Sequence, residues 1–442
     1  MASPISPRTL KGFRDYLPQD MIGRRAMIRT IEAAFNRHGF APLDTPALEY
    51  AEILTGKYGD EGDKLLYRFT DHGEREVALR YDLTVPLARV FAQHKGALPL
   101  PFRRYQIAPV WRADKPQRGR FREFMQCDVD IVGAAGPMAD AEVLGTGLAV
   151  LSDLGVRGAR IHLNHRALLT ALLDHAGVAG DHGQLLALRA IDKWDKIGEA
   201  GVRKELAGGV GLDAAAIDRL MTVFSTTGAD SVATLDALEA LVGANEGTVR
   251  LREVLALLDA AGHGDGVQID PTIARGLDYY TGVIYETRLT DPKVASMGAV
   301  MSGGRYDGLI GMFGKDAVPA VGISLGLDRL LAALRELGLV DDANHGAEAF
   351  VTVFNADGRV EAMRVATELR AAGVSAEVST IEGKLAKQFK RADRRGCRLV
   401  LVVGPDDAAA GTVVVKDLTR GAQTIAARAE LGACVLELLG AR

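Results

Sequence analysis

Cysteine is scarce in this sequence. Cys127, Cys397 and Cys434 are the only three among 442 residues, odd in number, far apart and without a C-x-x-C pair. That argues against a disulfide frame or a zinc site and for a reducing compartment. An excess of positive charge is lacking as well: 53 Lys and Arg stand against 57 Asp and Glu, a formal net charge of −4. No global basic field exists, so any nucleic-acid contact has to use local patches. No run is long and apolar enough to span a membrane, and the opening M-A-S-P-I-S-P-R-T-L-K-G holds no apolar signal-peptide core. Together these absences predict a cytoplasmic protein. The H-E-x-x-H, G-x-S-x-G and Walker patterns are missing too. His162 and His165 have metal-like spacing but no evident third ligand, so no metal site made only of protein ligands is expected.

What is present describes a globular chain. Apolar residues make up 48% and charged residues 25%, enough for an ample core, and the length predicts two or three domains. The chain is organised around residues 102–132, F-R-R-Y-Q-I-A-P-V-W-R-A-D-K-P-Q-R-G-R-F-R-E-F-M-Q-C-D-V-D-I-V. Two β-rich runs flank a connection at 113–119 that contains Pro116 and ends in Gly119, which predicts a hairpin with a long tip. Folding it about 115–117 pairs Arg112 with Arg120, Val110 with Arg122, Gln106 with Gln126 and Arg104 with Asp128. Even-numbered residues then share one face. In the second strand that face carries Arg120, Arg122, Gln126, Asp128 and Asp130. The odd face carries Phe121, Met125, Cys127, Val129 and Ile131, interrupted by Glu123. One side is predicted to be buried and the other to form a polar floor. Like charges across a ladder are destabilising, so Arg112 opposite Arg120 suggests an anion between them. A solvated basic hairpin is the plainer alternative.

Upstream, a helix presents Ile28, Ile31 and Phe35 on one face, with Gly39 as its C-cap. A short strand at 77–79 leads into R-Y-D-L-T-V-P-L-A-R. There Asp82 and Thr84 share a face if the segment is extended; equally, they suit a capping turn before a helix. Residues 160–265 are rich in Ala, Leu and Gly with helical spacing, and read as a helical insertion. A-R-G-L-D-Y-Y-T-G-V-I-Y-E at 274–286 packs one Arg, one Asp and two Tyr between glycines, which suits backbone approach to a ligand. S-G-G-R-Y-D-G-L at 302–309 reads as a hairpin turn. A strand at 318–325 runs into a helix with Leu327, Leu330, Leu331 and Leu334 as its buried stripe. Arg329 falls in that helix's first turn, where the macrodipole disfavours a cation. A bound polyphosphate would remove the conflict, although surface placement is the commoner explanation. After a linker at 338–348, alternating strands and helices predict a separate α/β domain at 349–442. Lys384, Lys387, Arg391 and Arg394 recur on one helix face there, either simply solvated or in contact with a phosphate backbone.

Taken together, these segments resemble the class II aminoacyl-tRNA synthetases, and specifically the histidyl-tRNA synthetase family. K-G-F-R-D-Y-L-P, a motif-1-like segment ending at Pro46, the hairpin as motif 2 and G-I-S-L-G-L-D-R-L as motif 3 carry the resemblance, and A-R-G-L-D-Y-Y-T-G is the most specific match. It implies an α+β fold: an antiparallel-sheet catalytic domain in two parts (1–160 and 266–337) around the insertion at 161–265, then an anticodon-binding domain at 349–442. It implies a homodimer built through motif 1, with L-histidine, ATP accompanied by Mg2+, and tRNA(His) as partners. Arg112 and Arg275 would serve catalysis at the α-phosphate, both also touching histidine, and Arg329 would bind the γ-phosphate. Asp114 and Arg120 are further ATP candidates. Asp82, Thr84 and Gln126 would take the ammonium group, and Asp130, Tyr279 and Tyr280 the imidazole. Asp114 replaces the Glu of many class II members, and Met125 precedes Gln126 where some have an aromatic or His; both lie where the tRNA end would approach. A regulatory, non-catalytic histidine-binding paralogue is the main alternative, and a nucleic-acid-binding module using the basic helix alone is a second.

Overall fold

The computed structural model describes residues 5–58, 62–116, 121–274, 279–314, 316–340 and 346–440, without the side chains of 195 and 196. Contacts divide the chain into two compact units, one of residues 1–15 with 27–339 and one of 16–26 with 340–442. In chain order, the strands of the first unit are β1 (Ala41–Pro42), β2 (Leu48–Tyr50), β3 (Arg68–Thr70), β4 (Glu76–Leu79), β5 (Phe102–Trp111), β6 (Glu123–Val132), β7 (Ala159–His165), β8 (Val267–Ile269), β9 (Val283–Leu289), β10 (Met301–Arg305) and β11 (Ala320–Gly326). Eight of them form one sheet in the order β1-β5-β6-β11-β10-β9-β7-β8, while β2, β4 and β3 form a small second sheet. Only the outermost pairs, β1 with β5 and β7 with β8, are parallel.

β5 and β6 pair as a hairpin in the register Phe102↔Val132, Arg104↔Asp130, Ala108↔Gln126 and Trp111↔Glu123. The expected register is therefore displaced by one cross-strand pair. Arg104 meets Asp130, not Asp128, and the Arg112 N–H donates to the Arg122 carbonyl at 2.9 Å; Arg120 lies outside the described residues. The reason is electrostatic: Arg104 and Asp130 form a buried ion pair at 2.7 Å, which a turn sequence alone does not specify. Because the displacement is an even number of residues, the faces keep their predicted identity. Cys127, Val129 and Ile131 are buried on the odd side. The helix Pro137–Asp153 packs against β6 and β11, and Gly147 brings it close, since a Cβ there would stand 3.1 Å from Ile323 Cδ1.

Residues 302–305 are not a turn but part of β10, in the middle of the sheet. Their glycines answer to cross-strand crowding: a Cβ at Gly303 would lie 2.1 Å from the Gly322 carbonyl, and one at Gly304 2.8 Å from the Tyr280 ring. The helical stretch begins at Arg166 rather than at 161, because Ile161 and Leu163 alternate with His162 as strand β7. Its helices run to Ala260. Two of them are started by the N-caps Asp213 and Asp230, which accept from the N–H groups of Ala216 and Ala233. His162 pairs with Asp270 at 2.8 Å, and His165 accepts from Ala167 N–H at a helix start, so both are structural. The helices Pro18–Arg37 and Leu327–Glu336 bury the apolar residues expected of them, and Gly39 follows the first with φ +73°.

The second unit holds β12 (Ala349–Val351), β13 (Ala376–Val378), β14 (Leu399–Val402), β15 (Thr412–Asp417) and β16 (Gln423–Ala427), in the order β13-β12-β14-β15-β16. It is mixed, parallel around β12 and antiparallel beyond β14. Ala349 and Val351 face a core with the helices Arg359–Ala371 and Leu431–Leu439, while Phe350 faces a smaller one beneath the helix Leu385–Arg394. The edge strand β16 was not expected; its largely exposed Q-T-I-A-A carries no alternation.

Candidate active site

The even face of the hairpin floors a cavity of about 460 Å³. Asp82, Thr84, Arg112, Asp114, Gln126, Tyr279, Tyr280 and Arg329 line it, which brings together eight of the residues singled out from sequence. Met125 and Cys127 do not line it. Arg275 and Arg120 lie outside the described residues. Lys384, Lys387, Arg391 and Arg394 belong to the second unit.

Each lining group is held by its neighbours. The Arg112 guanidinium lies 4.3 Å over the Tyr81 ring and 5.1 Å over Phe124, and its Nε donates to the Tyr81 carbonyl at 3.1 Å. Stacking on two rings and one carbonyl fixes its plane. Asp82 does two things at once: its Oδ1 accepts from Val85 N–H at 3.1 Å at the start of the helix Thr84–His94, and it also accepts from the Tyr58 hydroxyl at 3.1 Å. The segment is therefore the capping turn and not an extended run, with Leu83 at φ −105° and ψ −3°, and Asp82 and Thr84 both line the cavity from it. Burial raises the Asp82 carboxyl above its ordinary value, opposed by the Val85 N–H and the Arg112 charge. Tyr279 donates to Asp82 Oδ2 at 3.4 Å and packs edge-on to Tyr280 and Tyr306. Gln126 Nε2 donates to Ser324 Oγ on β11, while its Oε1 is buried with no hydrogen-bond partner among the described residues.

Asp130 departs from expectation. It is not part of the cavity wall but sits below it, paired with Arg104 and accepting from the Tyr306 hydroxyl. Gly322 stands opposite it on β11, and a Cβ there would come within 1.8 Å of its Oδ1. Burial raises the Asp130 carboxyl, with Arg104 opposing. Asp128, between Gln126 and Asp130, is pushed up to about 7 by burial, with Arg104 opposing and Asp130 reinforcing. A charge-dense floor under a polar cavity suits an amino acid ligand, whose groups need paired donors and acceptors.

Several functional candidates were not legible in sequence. Tyr58 gives no local signal. Tyr306 and Ser324 lie in segments already singled out, but their partners come from strand pairing. Asp328 lines the cavity and accepts from Met125 N–H at 2.9 Å; a carboxylate in a helix's first turn was its available signal. Arg329, next to it, donates to the Ala299 carbonyl.

An antiparallel sheet whose central hairpin bears a stacked arginine over a polar cavity, with a separate mixed-sheet unit after it, defines an aminoacyl-tRNA ligase of the antiparallel-sheet class. The histidyl-tRNA synthetase family model matches residues 12–330, and an anticodon-binding-domain model matches 348–438. The chain belongs to the histidyl-tRNA synthetase family. It is 44% identical to a histidine–tRNA ligase of Rhodopirellula baltica, covering 99% of each chain. It is 42% identical to one of Xanthomonas campestris, covering 97% of this chain and 95% of that one. Among solved structures, histidyl-tRNA synthetase from a Nostoc species superposes with a TM-score of 0.86 at 31% identity, covering 98% of this chain and all of that one.

Proposed function

We propose that this cavity joins L-histidine to ATP and then passes the histidyl group to the 3′ end of tRNA(His). One observation carries the reading: the stacked Arg112 stands in the same cavity wall as Asp82, Thr84 and Gln126 and as Asp114 and Arg329. An amino acid and a nucleotide placed there would meet at its guanidinium. A carboxylate oxygen of histidine attacks the α-phosphorus, the bond to pyrophosphate breaks, and histidyl-adenylate forms. Charge grows on phosphate oxygens, where a preorganised cation is worth most. In the second step a ribose hydroxyl of tRNA attacks the adenylate's carbonyl carbon and AMP leaves. Arg275 joins Arg112 at the α-phosphate, Arg120 joins Asp114 along the nucleotide, and Arg329 takes the γ-phosphate; for Arg275 and Arg120 the support is the sequence motif.

Asp82 and Gln126 Oε1 receive the ammonium group with Thr84, and Tyr279 and Tyr280 face the imidazole. Asp130 holds the floor from below. Such a site rejects analogues that leave its polar groups unpaired, by roughly 10⁴ or more. Mg2+ would enter with the ATP phosphates and neutralise part of their charge.

Three further features support partners and place. Exposed Lys387 and Arg394 on the helix Leu385–Arg394, with Lys384 just before it, suit tRNA phosphates. Exposed Leu48, Tyr50 and Phe69 on the small sheet suit a second copy of the chain. No helix among the described residues is long and apolar enough to cross a membrane, and a cytoplasmic location accords with cysteines as few and as scattered as Cys127, Cys397 and Cys434. The regulatory-paralogue alternative has less support, because the arginines at 112, 275 and 329 and a full second unit are present.

The test is amino-acid-dependent ATP–pyrophosphate exchange. Exchange with histidine and none with the other amino acids is expected; equal exchange without histidine, or none at all, would sink the proposal.

A further inference from the structure

Residues 11–14, K-G-F-R, cross outside the hairpin, and nothing in the chemistry above uses them. They nevertheless touch the cavity's builders at two points. At the first, Arg122 N–H donates to the Gly12 carbonyl at 2.8 Å, while the Arg122 carbonyl accepts from Arg112 N–H at 2.9 Å. The Arg122 side chain donates to the carbonyls of Asp114 at 3.0 Å and Lys11 at 3.3 Å. Gly12 has φ +90°, and a Cβ there would stand 2.8 Å from Arg122 Cγ and Cδ. The contact thus needs glycine twice over, for backbone conformation and for approach. At the second point, Arg14 Nη2 reaches Asp328 Oδ1 at 2.6 Å, and the Arg14 guanidinium lies 3.9 Å over the Phe121 ring. Asp328 in turn accepts from Met125 N–H at the start of β6, and both Phe121 and Asp328 line the cavity.

We propose that residues 11–14 form a strap that holds the hairpin and the start of the helix Leu327–Glu336 in one arrangement, with Arg14 as a positioning residue for the nucleotide half of the site. This rests on the functional reading above, which assigns that half to ATP. The Arg14 side chain is 35% exposed, where ion pairs are usually worth little. Its partner is only 4% exposed, so removing the guanidinium takes one counter-charge from a nearly buried carboxylate next to Arg329 in sequence. Phe121 loses its stacked plane in the same step. These partners of Arg14 and Asp328, all among the described residues, lie on the nucleotide side of the site and do not include Asp82, Thr84 or Gln126, so the effect should be one-sided.

The test compares the full-length wild type with Arg14→Ala and Arg14→Lys, measuring equilibrium binding of ATP and of histidine separately, together with melting temperature. Arg14→Ala should weaken ATP by about tenfold while histidine binding stays within about twofold. Arg14→Lys keeps the charge but not the flat stack, so it should recover part of the loss. Unchanged ATP affinity in Arg14→Ala would overturn the proposal. So would equal weakening of both ligands with a lowered melting temperature, since the strap would then be a plain structural clasp. Failure of the functional reading is separable: wild type would bind ATP yet give no histidine-dependent exchange, and the strap's effect on ATP would still be read.

Discussion

Asp128 is a buried carboxyl whose protonation the floor shifts upward, and it was passed over in sequence as one more polar residue on the even face. Its ordinary value is 3.8, and burial lifts it to about 7 in the folded protein. Between about pH 4 and 7 the folded state therefore holds a proton that the unfolded state has lost. Stability contributed at this position falls as pH rises through that window. Asp128→Asn removes the titration, so the variant's stability relative to wild type should climb from pH 5 to 7.5. Urea denaturation at three or four pH values measures it, and a difference flat with pH would mean that Asp128 titrates like an exposed carboxylate. Asp82 was legible because its spacing to Thr84 and to the following helix is local. Its bonds from Tyr58 and Tyr279 were not, because those residues lie 24 and 197 positions away.

At the scale of elements, the hairpin was legible in its existence and its faces and wrong in its register. Alternation in one strand decides which side chains share a face. Which residue stands opposite depends on contacts such as Arg104 with Asp130 that no turn sequence encodes. The glycines of 302–305 misled for a related reason: a glycine looks alike in a turn and in a crowded central strand until its neighbours are known. The basic helix Leu385–Arg394 was located to within a residue or two, since its charge spacing is helical. Arg391 leans 4.0 Å from Glu377, and Arg395, just past the helix, pairs with the same carboxylate at 2.7 Å. Within the helix the exposed cations Lys387, Lys390 and Arg394 are then available to meet phosphate, together with Lys384 just before it. Reversing the three within the helix to Glu should raise the KM for tRNA by at least about tenfold, with a weaker salt dependence, while histidine-dependent exchange stays within about twofold. An unchanged KM for tRNA would remove this helix from the interface.

For the whole molecule, the assembly question turns on the small sheet. Phe69 and Tyr50 both stand opposite Val77, so the three lie in a row across it. Val77 is buried, but Tyr50 and Phe69 on either side of it remain 52% and 47% exposed, as does Leu48, two residues before Tyr50 on the same strand, at 45%; together they make an apolar patch that a second copy could cover. Sedimentation of the wild type should give the mass of two chains, and Tyr50→Asp combined with Phe69→Asp should give one. A wild type sedimenting as a single chain would contradict the dimer. The sequence by itself determined the motif segments, the helical stretch, the second α/β unit and the alternating faces, because each is written in local spacing, charge or residue type. Tertiary structure decided the rest: the Arg104–Asp130 register, the retreat of Asp130 beneath the cavity, the entry of Tyr58, Tyr306 and Asp328, and the strap at residues 11–14. Each depends on groups far apart in sequence meeting out of water. There, close packing and buried charge select among arrangements that local propensity leaves equal.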